Sequence, residues 1–265
     1  MNIVTNVRLT TAVKADASLY KQVEDAYFKL SAVSEIGQIT IIKRRKHTIK
    51  QLFQQDTTPI IVFERTGPKL YFSPDHPIYF HLDTTKVKLK ALEQNQLPIL
   101  VDMINDIKGR DMKFSFVDGT MGFGRDSYLI LKAFPNAKVY AIEQNPLIHF
   151  VISFGMRQFL DEDMNSRIHF IHSDFQEWIN NQEEIVDFLY LDPMFEQTLN
   201  DSDRMGELSR VTQTTVISEN ISNYKKLIIK AHYKSELFKK LNAIRCIRKT
   251  SKTHYGISIN NQIEN

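Results

Sequence analysis

The sequence is poor in cysteine. Among its 265 residues only Cys246 is one, which excludes an intramolecular disulfide framework and any multi-cysteine zinc site and is consistent with a reducing compartment. Long apolar runs are missing as well: no stretch approaches the roughly 20 residues that cross a bilayer. Residues 1–6 hold no basic segment followed by an apolar run, so no secretory signal is expected and the cytoplasm is the expected location. There is no internal repeat and no low-complexity tract. The eight histidines show no metal-ligand spacing, and no Ser-His-Asp or Cys-His arrangement stands out, so neither a resident metal nor nucleophilic hydrolysis is expected.

What is present fits a soluble globular protein. Hydrophobic residues make up 42% and charged residues 25%, enough to bury a real core without disulfides. The net charge is +3, and its distribution says more than the total. Residues 1–110 hold 16 Lys/Arg against 11 Asp/Glu, while residues 111–265 hold 18 against 20. The first segment is the better candidate for meeting a polyanion.

The punctuation divides the chain into two parts. Residues 14–36 read as a helix, with Leu19, Val23, Ala26 and Leu30 on one face, Asp16 as the cap and Gly37 as the stop. Short β-branched or aromatic runs follow at 39–42, 60–63, 69–72 and 78–82. Residues 1–110 are therefore read as a small α+β region, closed by a helical stretch over 85–107 that breaks near Pro98. From Phe114 strands and helices alternate. Strands are expected at 114–117, 138–142, 168–172, 186–191 and 226–230, with helices at 126–134, 146–160, 174–181 and 204–220. That alternation implies an α/β fold, a doubly wound and mostly parallel Rossmann-like sheet over 111–265. The last two strands, 244–249 and 254–259, are close enough to form an antiparallel edge.

Four constellations fall at strand C-termini, where such sheets bind ligands. The first is Asp118-Gly119-Thr120-Met121-Gly122-Phe123-Gly124-Arg125-Asp126. Its glycines permit a sharp turn and close backbone approach; no Gly-Lys-Ser/Thr follows, so it is no P-loop, and the order is not that of a dinucleotide fingerprint. An ordinary strand-to-helix turn is the plain alternative. The second is Glu143, with Gln144 beside it, suited to a ribose diol or simply to solvent. The third is Ser173-Asp174-Phe175, where Asp174 suits an exocyclic adenine amine, Phe175 an adenine face, and Asp174 equally well a helix cap. The fourth is Asp192-Pro193-Met194-Phe195: a carboxylate, carbonyls fixed by proline and an aromatic face, together able to hold an amine on a flat base.

Together these four stretches resemble the motifs of class I S-adenosylmethionine-dependent methyltransferases, and more narrowly the RsmJ family of small-subunit rRNA guanine-N2 methyltransferases and its relatives. The run Tyr190-Leu191-Asp192-Pro193-Met194-Phe195 is the most specific. Leu227-Ile228-Ile229-Lys230 and His254-Tyr255-Gly256-Ile257 extend the resemblance to the C-terminus. The resemblance implies S-adenosyl-L-methionine as cofactor. It implies cofactor contacts from Asp118, Gly119, Thr120, Gly122, Gly124, Arg125 and Asp126, from Glu143 and Gln144, from Asp174 and Phe175, and from Asp192. It also implies catalytic roles for Asp192, Pro193 and Phe195 and an rRNA or ribosomal-particle partner. In RNA recognition the run Lys43-Arg44-Arg45-Lys46 is the natural backbone contact, with Lys86, Lys88 and Lys90 adding charge; solvated surface is the plain reading of all of them. One departure stands out. The rRNA enzymes carry a lysine-rich loop after the Asp-Pro-Met-Phe motif, whereas Glu196-Gln197-Thr198-Leu199-Asn200-Asp201-Ser202-Asp203 is acidic here, which disfavours phosphate. A protein or small-molecule acceptor, or a binding scaffold without turnover, are the competing readings; a nicotinamide-dependent dehydrogenase is the outsider.

Overall fold

A computed structural model describes residues 4–193, 217–218, 220–260 and 263. They form two compact units: residues of 1–81 with 145–159, and residues of 82–144 with 160–265.

The first unit is built on a four-stranded sheet of order β2-β1-β3-β4. β1 (Thr5–Thr11) is central and runs parallel to β2 (Ile36–Ile41) and β3 (Ile60–Glu64); β4 (Gly67–Tyr71) closes an antiparallel hairpin with β3. Helix α1 (Ala17–Ser31) forms where the spacing predicts. Asp16 caps it by accepting the Leu19 N–H at 3.1 Å, and Leu19, Val23, Ala26 and Leu30 are its buried face. It stops at Ser31 rather than running to Ile36, because β2 begins there and Gly37 sits inside a strand. A short helix α2 (Ile49–Gln55) starts in a reciprocal Thr48–Gln51 capping box. The strand expected at 78–82 is a single bridge between Ile78 and Leu70. Pro77 and the polar turn before it leave little chain to pair. Helix α6 (Pro146–Arg157) also belongs to this unit.

β1 escapes a periodicity reading because Arg8 stands at its centre, and the structure shows what that arginine does. It is only 5% exposed. Its guanidinium donates to Leu52 O (3.1 Å), Thr58 O (3.1 and 2.7 Å) and Asp56 O (2.5 Å), lies 3.5 Å from the Asp56 carboxylate and covers the Phe53 ring. One side chain thus satisfies the carbonyls at the end of α2 and of the loop into β3. Replacing it by methionine removes the guanidinium from the Thr58 and Asp56 carbonyls and from the Asp56 carboxylate, while Leu52 O keeps only the Asp56 N–H. Arg8→Met should cost about 2–4 kcal/mol of unfolding free energy, read by denaturant titration; a loss below about 0.5 kcal/mol, the level of an ordinary surface change, would refute this account.

The second unit opens with α3 (Asp83–Glu93) and α4 (Ile99–Lys108), broken at Pro98 as expected. Its sheet contains β5 (Phe114–Asp118), β6 (Ala137–Glu143), β7 (Ile168–His172), β8 (Val186–Leu191), β9 (Tyr224–His232), β10 (Ile244–Cys246) and β11 (Thr253–Ile259). The strand order is β7-β6-β5-β8-β9-β11-β10. The first five are parallel; β11 is antiparallel to both β9 and β10. The doubly wound sheet with an antiparallel C-terminal edge is therefore as the sequence predicts. Helices α5 (Arg125–Ala133), α7 (Glu162–Arg167), α8 (Phe175–Asn180) and α9 (Leu237–Lys240) accompany it. Two of these, α7 and α9, are too short to show a helical period in the sequence. The helix expected over 204–220 falls almost wholly outside the described residues.

The two-residue period of the strands sorts the core. Val117, Leu189, Leu191, Leu227 and Ile229 face Phe175, Ile179, Leu237 and Phe238 on one side of the sheet, with Trp178 packed against the same cluster. On the other side Phe114, Phe116, Phe188 and Tyr190 form ring contacts with one another and with Phe134 at the end of α5. From β5 the chain moves outward to β6 and β7, then returns to place β8 and β9 on the opposite side of β5. That reversal opens a crevice at the carboxyl ends of β5 and β8. Among the described residues no helix is long and apolar enough to cross a membrane, and no group of His, Cys, Asp or Glu is arranged to hold a metal ion.

Candidate active site

The loop after β5 is fastened to its neighbours by backbone geometry. The Gly119 N–H donates to Tyr190 O at 2.9 Å and the Met121 N–H to Ile142 O at 2.9 Å. Gly122 and Gly124 have φ values of +50° and +69°, a region that side-chain-bearing residues rarely adopt, and Gly124 opens α5. Gly119 is needed for a different reason. A Cβ there would stand 2.8 Å from Leu191 Cδ2 and 3.1 Å from the Phe175 ring. Glu143, at the end of β6, accepts the Gly122 N–H at 3.1 Å. Thr120 reaches across to β8, where its hydroxyl accepts the Asp192 N–H at 2.7 Å. Asp118, Glu143 and Asp192 are thus drawn to one loop from three strand ends.

Beneath this loop lies a group of buried charges. Asp126, on the first turn of α5, receives Lys88 of α3 at 2.6 Å on Oδ1, and on Oδ2 both Lys230 of β9 at 3.1 Å and the Tyr190 hydroxyl at 2.8 Å. Lys230 also pairs with Asp192 Oδ2. Register explains the meeting. Tyr190 pairs with Ile228 and Leu191 with Ile229, so Asp192 falls one step beyond the ladder, opposite Lys230, while Tyr255 of β11 flanks Lys230 from the other side. Burial pushes the Asp126 carboxyl up, but Lys230 and Lys88 more than reverse it and hold the group well below the usual carboxylate range. Asp192 has one cation rather than two; burial wins there, and its carboxyl is raised despite Lys230. For Lys230 burial opposes the charge, yet Asp126 and Asp192 keep its ammonium above its ordinary value.

The expected site residues separate into groups. Asp118, Gly119, Thr120, Gly122, Gly124, Asp126, Glu143 and Asp192 meet around the β5, β6 and β8 ends. Arg125 lies in the first turn of α5 with its guanidinium over the Phe123 ring, and Gln144 is exposed beyond Glu143. Asp174 caps α8, accepting the Gln176 and Glu177 N–H groups at 2.8 and 3.1 Å. Phe175 differs from the open aromatic face the sequence suggests: at 2% exposure it is a core residue under Gly119. Asp126 likewise has both oxygens committed to protein donors. Lys88 is half-buried rather than a free surface charge, and it is paired with Asp126. Pro193 follows Asp192 directly, and Phe195 and the acidic 196–203 loop lie outside the described residues. Lys43, Arg45 and Lys46 are exposed on the turn after β2, with Arg44 half-buried and donating to His47 O. Sequence reasoning did not assign Lys230 or Tyr255 a place here. The one available signal was a lysine inside the apolar run Leu227-Ile228-Ile229-Lys230-Ala231, since a buried lysine demands a partner.

S-adenosylmethionine presents a sulfonium, an ammonium, a ribose diol and an adenine amine, all cationic or proton-donating. Carboxylates at four strand ends are the complementary set, and Arg125 at the start of α5 is of the sign that would suit the cofactor's carboxylate. The residues present therefore fit that group; Glu143 would serve the diol and Asp174 the amine.

Asp118 is the exception among these acids. It is 2% exposed, accepts the Ser127 hydroxyl at 2.6 Å and the Thr120 N–H at 3.3 Å, and burial pushes its carboxyl up to about 7. A folded-state value above the unfolded one means stability that is full below the ordinary carboxyl range and is lost as the pH rises through about 7. Asparagine mimics the protonated acid. Between pH 4 and 8 the Asp118→Asn protein should gain about 2–4 kcal/mol relative to the parent, read by denaturant unfolding across pH; parallel stability curves would refute it.

Comparison with known proteins agrees with this geometry. A family model described as "Putative SAM-dependent methyltransferase" matches residues 106–219. An uncharacterized protein of Bacillus subtilis, YpiP, is 25% identical over 227 residues, spanning 81% of this chain and 87% of that protein. Ribosomal RNA small subunit methyltransferase J of Shewanella amazonensis is 34% identical over 84 residues, 30% of this chain and 33% of the relative. The protein of the same name from Shewanella putrefaciens is 24% identical over 181 residues, 58% and 69% respectively. Among solved structures, a SAM-dependent methyltransferase of Neisseria gonorrhoeae shares the fold with a TM-score of 0.57 at 15% identity, covering 97% of this chain and 99% of that one. With the strand order, the glycine loop and the Asp-Pro turn at the β8 end, these similarities support a class I S-adenosylmethionine-dependent methyltransferase resembling the RsmJ family.

Proposed function

We propose that this methyltransferase acts on an exocyclic amine of a guanine in small-subunit rRNA. The observation that carries the reading is the placement of Asp192-Pro193 at the β8 end, tied to the glycine loop through Thr120 and next to the acid series expected to hold the cofactor. The similarity to the two Shewanella methyltransferases supports the choice of acceptor.

The bound cofactor supplies a methyl group on a good leaving group, so no strong nucleophile is needed from the protein. The chain's own task is to orient. Asp192 and the carbonyls around Pro193 accept the amine hydrogens and turn the nitrogen lone pair toward the methyl. Phe195 stacks on the base, a contact worth about 1–3 kcal/mol. A base within a helix is flipped out to reach them. The amine proton leaves to solvent after the new N–C bond has formed and the C–S bond has broken. Residues 1–110 are the substrate-recognition part in this reading, with Lys43, Arg44, Arg45 and Lys46 on the phosphate backbone. A protein or small-molecule acceptor is the second reading, favoured by the acidic 196–203 loop.

Labelled S-adenosylmethionine, purified protein and total RNA plus protein from cells lacking the gene separate the two. Label in ribonuclease-sensitive material of small-subunit rRNA size, released as N2-methylguanosine, is the expected result. Label confined to protease-sensitive or small-molecule fractions would discard the RNA assignment and keep the enzyme class. Replacing Lys43, Arg45 and Lys46 together by alanine should lower the slope of log affinity against log salt for that RNA by about 2–3; an unchanged slope would remove the turn from the interface.

A further inference from the structure

A lysine at the end of a central strand, in a run whose other members are core residues, calls for an explanation. Lys230 does not sit in a simple pair. It stands between two carboxylates, and a second lysine, Lys88, balances the first of them. Two cations and two anions form a neutral, largely buried chain from α3 through α5 and β9 to the β8 end. If the only need were to neutralise Asp126, Lys88 and the Tyr190 hydroxyl would serve. Lys230 adds a reach to Asp192, and its other neighbours, Tyr190 and Tyr255, restrict where its ammonium can lie.

We propose that Lys230 is a positioning residue for Asp192, aimed by Asp126 and Lys88: its ammonium takes up Oδ2 of Asp192 and so fixes the direction in which the other carboxylate oxygen addresses the substrate amine. The proposal rests on the role given to Asp192 above. A planar carboxylate with one oxygen held has one free direction left, which is the orientation that a transfer to nitrogen requires. The same contact opposes the burial that raises the Asp192 carboxyl, and so favours its ionised, acceptor form. The charged and titratable groups facing Asp192 are Lys230 on β9, Asp126 on α5, Lys88 on α3, Asp118 on β5, Tyr190 on β8 and Tyr255 on β11. Lys230 and Lys88 are the cations among them. Removing Lys230 leaves mainly groups that disfavour ionisation of Asp192.

The test uses full-length protein carrying Lys230→Met, Lys230→Arg, or the charge-balanced pair Lys230→Met with Asp126→Asn, which guards against misfolding from an unpaired buried acid. Three quantities are read: the Asp192 titration by side-chain carboxyl 13C NMR, S-adenosylhomocysteine affinity by calorimetry, and kcat and KM on small ribosomal subunits from cells lacking the gene. In Lys230→Met the Asp192 titration should move up by about 1–3 pH units, and by less in the charge-balanced pair, which also loses the Asp126 charge. In both proteins kcat should fall about 100-fold at pH 7 and recover partly as the pH rises, while S-adenosylhomocysteine affinity stays within about threefold of the parent. Lys230→Arg should restore most of the rate. An unmoved titration in Lys230→Met, or an undiminished kcat in the charge-balanced protein, overturns the proposal. So does a loss of cofactor affinity matching the loss of rate, which would make Lys230 merely structural. Asp192→Asn with parental kcat would instead overturn the reading of Asp192 itself. A parent protein inactive on small subunits, but with the titration shift intact, would discard the rRNA acceptor and uphold the positioning.

Discussion

The site hangs on the ionised carboxylate of Asp126. It accepts from Lys88, Lys230 and Tyr190 at once, joining a helix that precedes the sheet to two of its central strands. Burying such a charge is costly unless it is paired and hydrogen-bonded. Here three donors saturate it, so any rearrangement that separated α3, α5, β8 and β9 near the crevice would strand a charge in the interior. The loop between β5 and α5 is short, and one of its ends is held by this contact. The positions of Gly122 and Gly124, and with them the approach available to a cofactor, follow from that anchor.

Around the same crevice three acids lie in three electrostatic states. Asp126 is held far below the ordinary range by its two lysines; Asp192, with one lysine, is raised by burial; Asp118, with a hydroxyl and an amide but no cation in contact, is raised to about 7. The ordering follows the number of cations each one touches, as expected where burial is similar and the local charges differ. A methyl transfer that needs neither a nucleophile nor a strong base uses such a gradient well. Asp118, raised by burial, completes the floor of the loop with less repulsion toward its neighbours than a fully ionised acid would bring.

In the first unit Arg8 plays the part of Asp126 with opposite sign. A buried guanidinium satisfies several carbonyls where α2 and the loop into β3 end. In both units a buried ionic side chain ties together segments that are distant in sequence. Arg8 and Lys230 were obscure in the sequence for the same reason. Hydrophobic period reports which face of an element is buried, and a charged residue on that face reads as a break in the pattern. β1 was missed for this reason, and Lys230 was seen only as part of a resemblance.

Much else was legible. The alternation of strands and helices after Phe114, the helix break at Pro98, the Asp16 cap and the clusters at strand ends follow from local rules of period, capping and turn chemistry, and among the described residues they lie where those rules put them; the helix expected over 204–220 and the Met194-Phe195 end of the fourth cluster fall almost wholly outside those residues. Phe175 could not be resolved in the same way. An aromatic after an acid at a strand end can stack on a ligand or fill the core, and only the 3.1 Å approach to the space over Gly119 decides for the core. Strand order also lies beyond the sequence, because pairing β8 with β5 rather than with β7 costs no local signal. Once that order is set, the two-residue period brings Tyr190, Asp192, Lys230 and Tyr255 to one face. The sequence by itself determined which residues are acids, glycines and strand formers, and hence the class of chemistry. The tertiary structure decided which charges touch, because electrostatic pairing depends on distances of a few ångströms between segments up to a hundred residues apart.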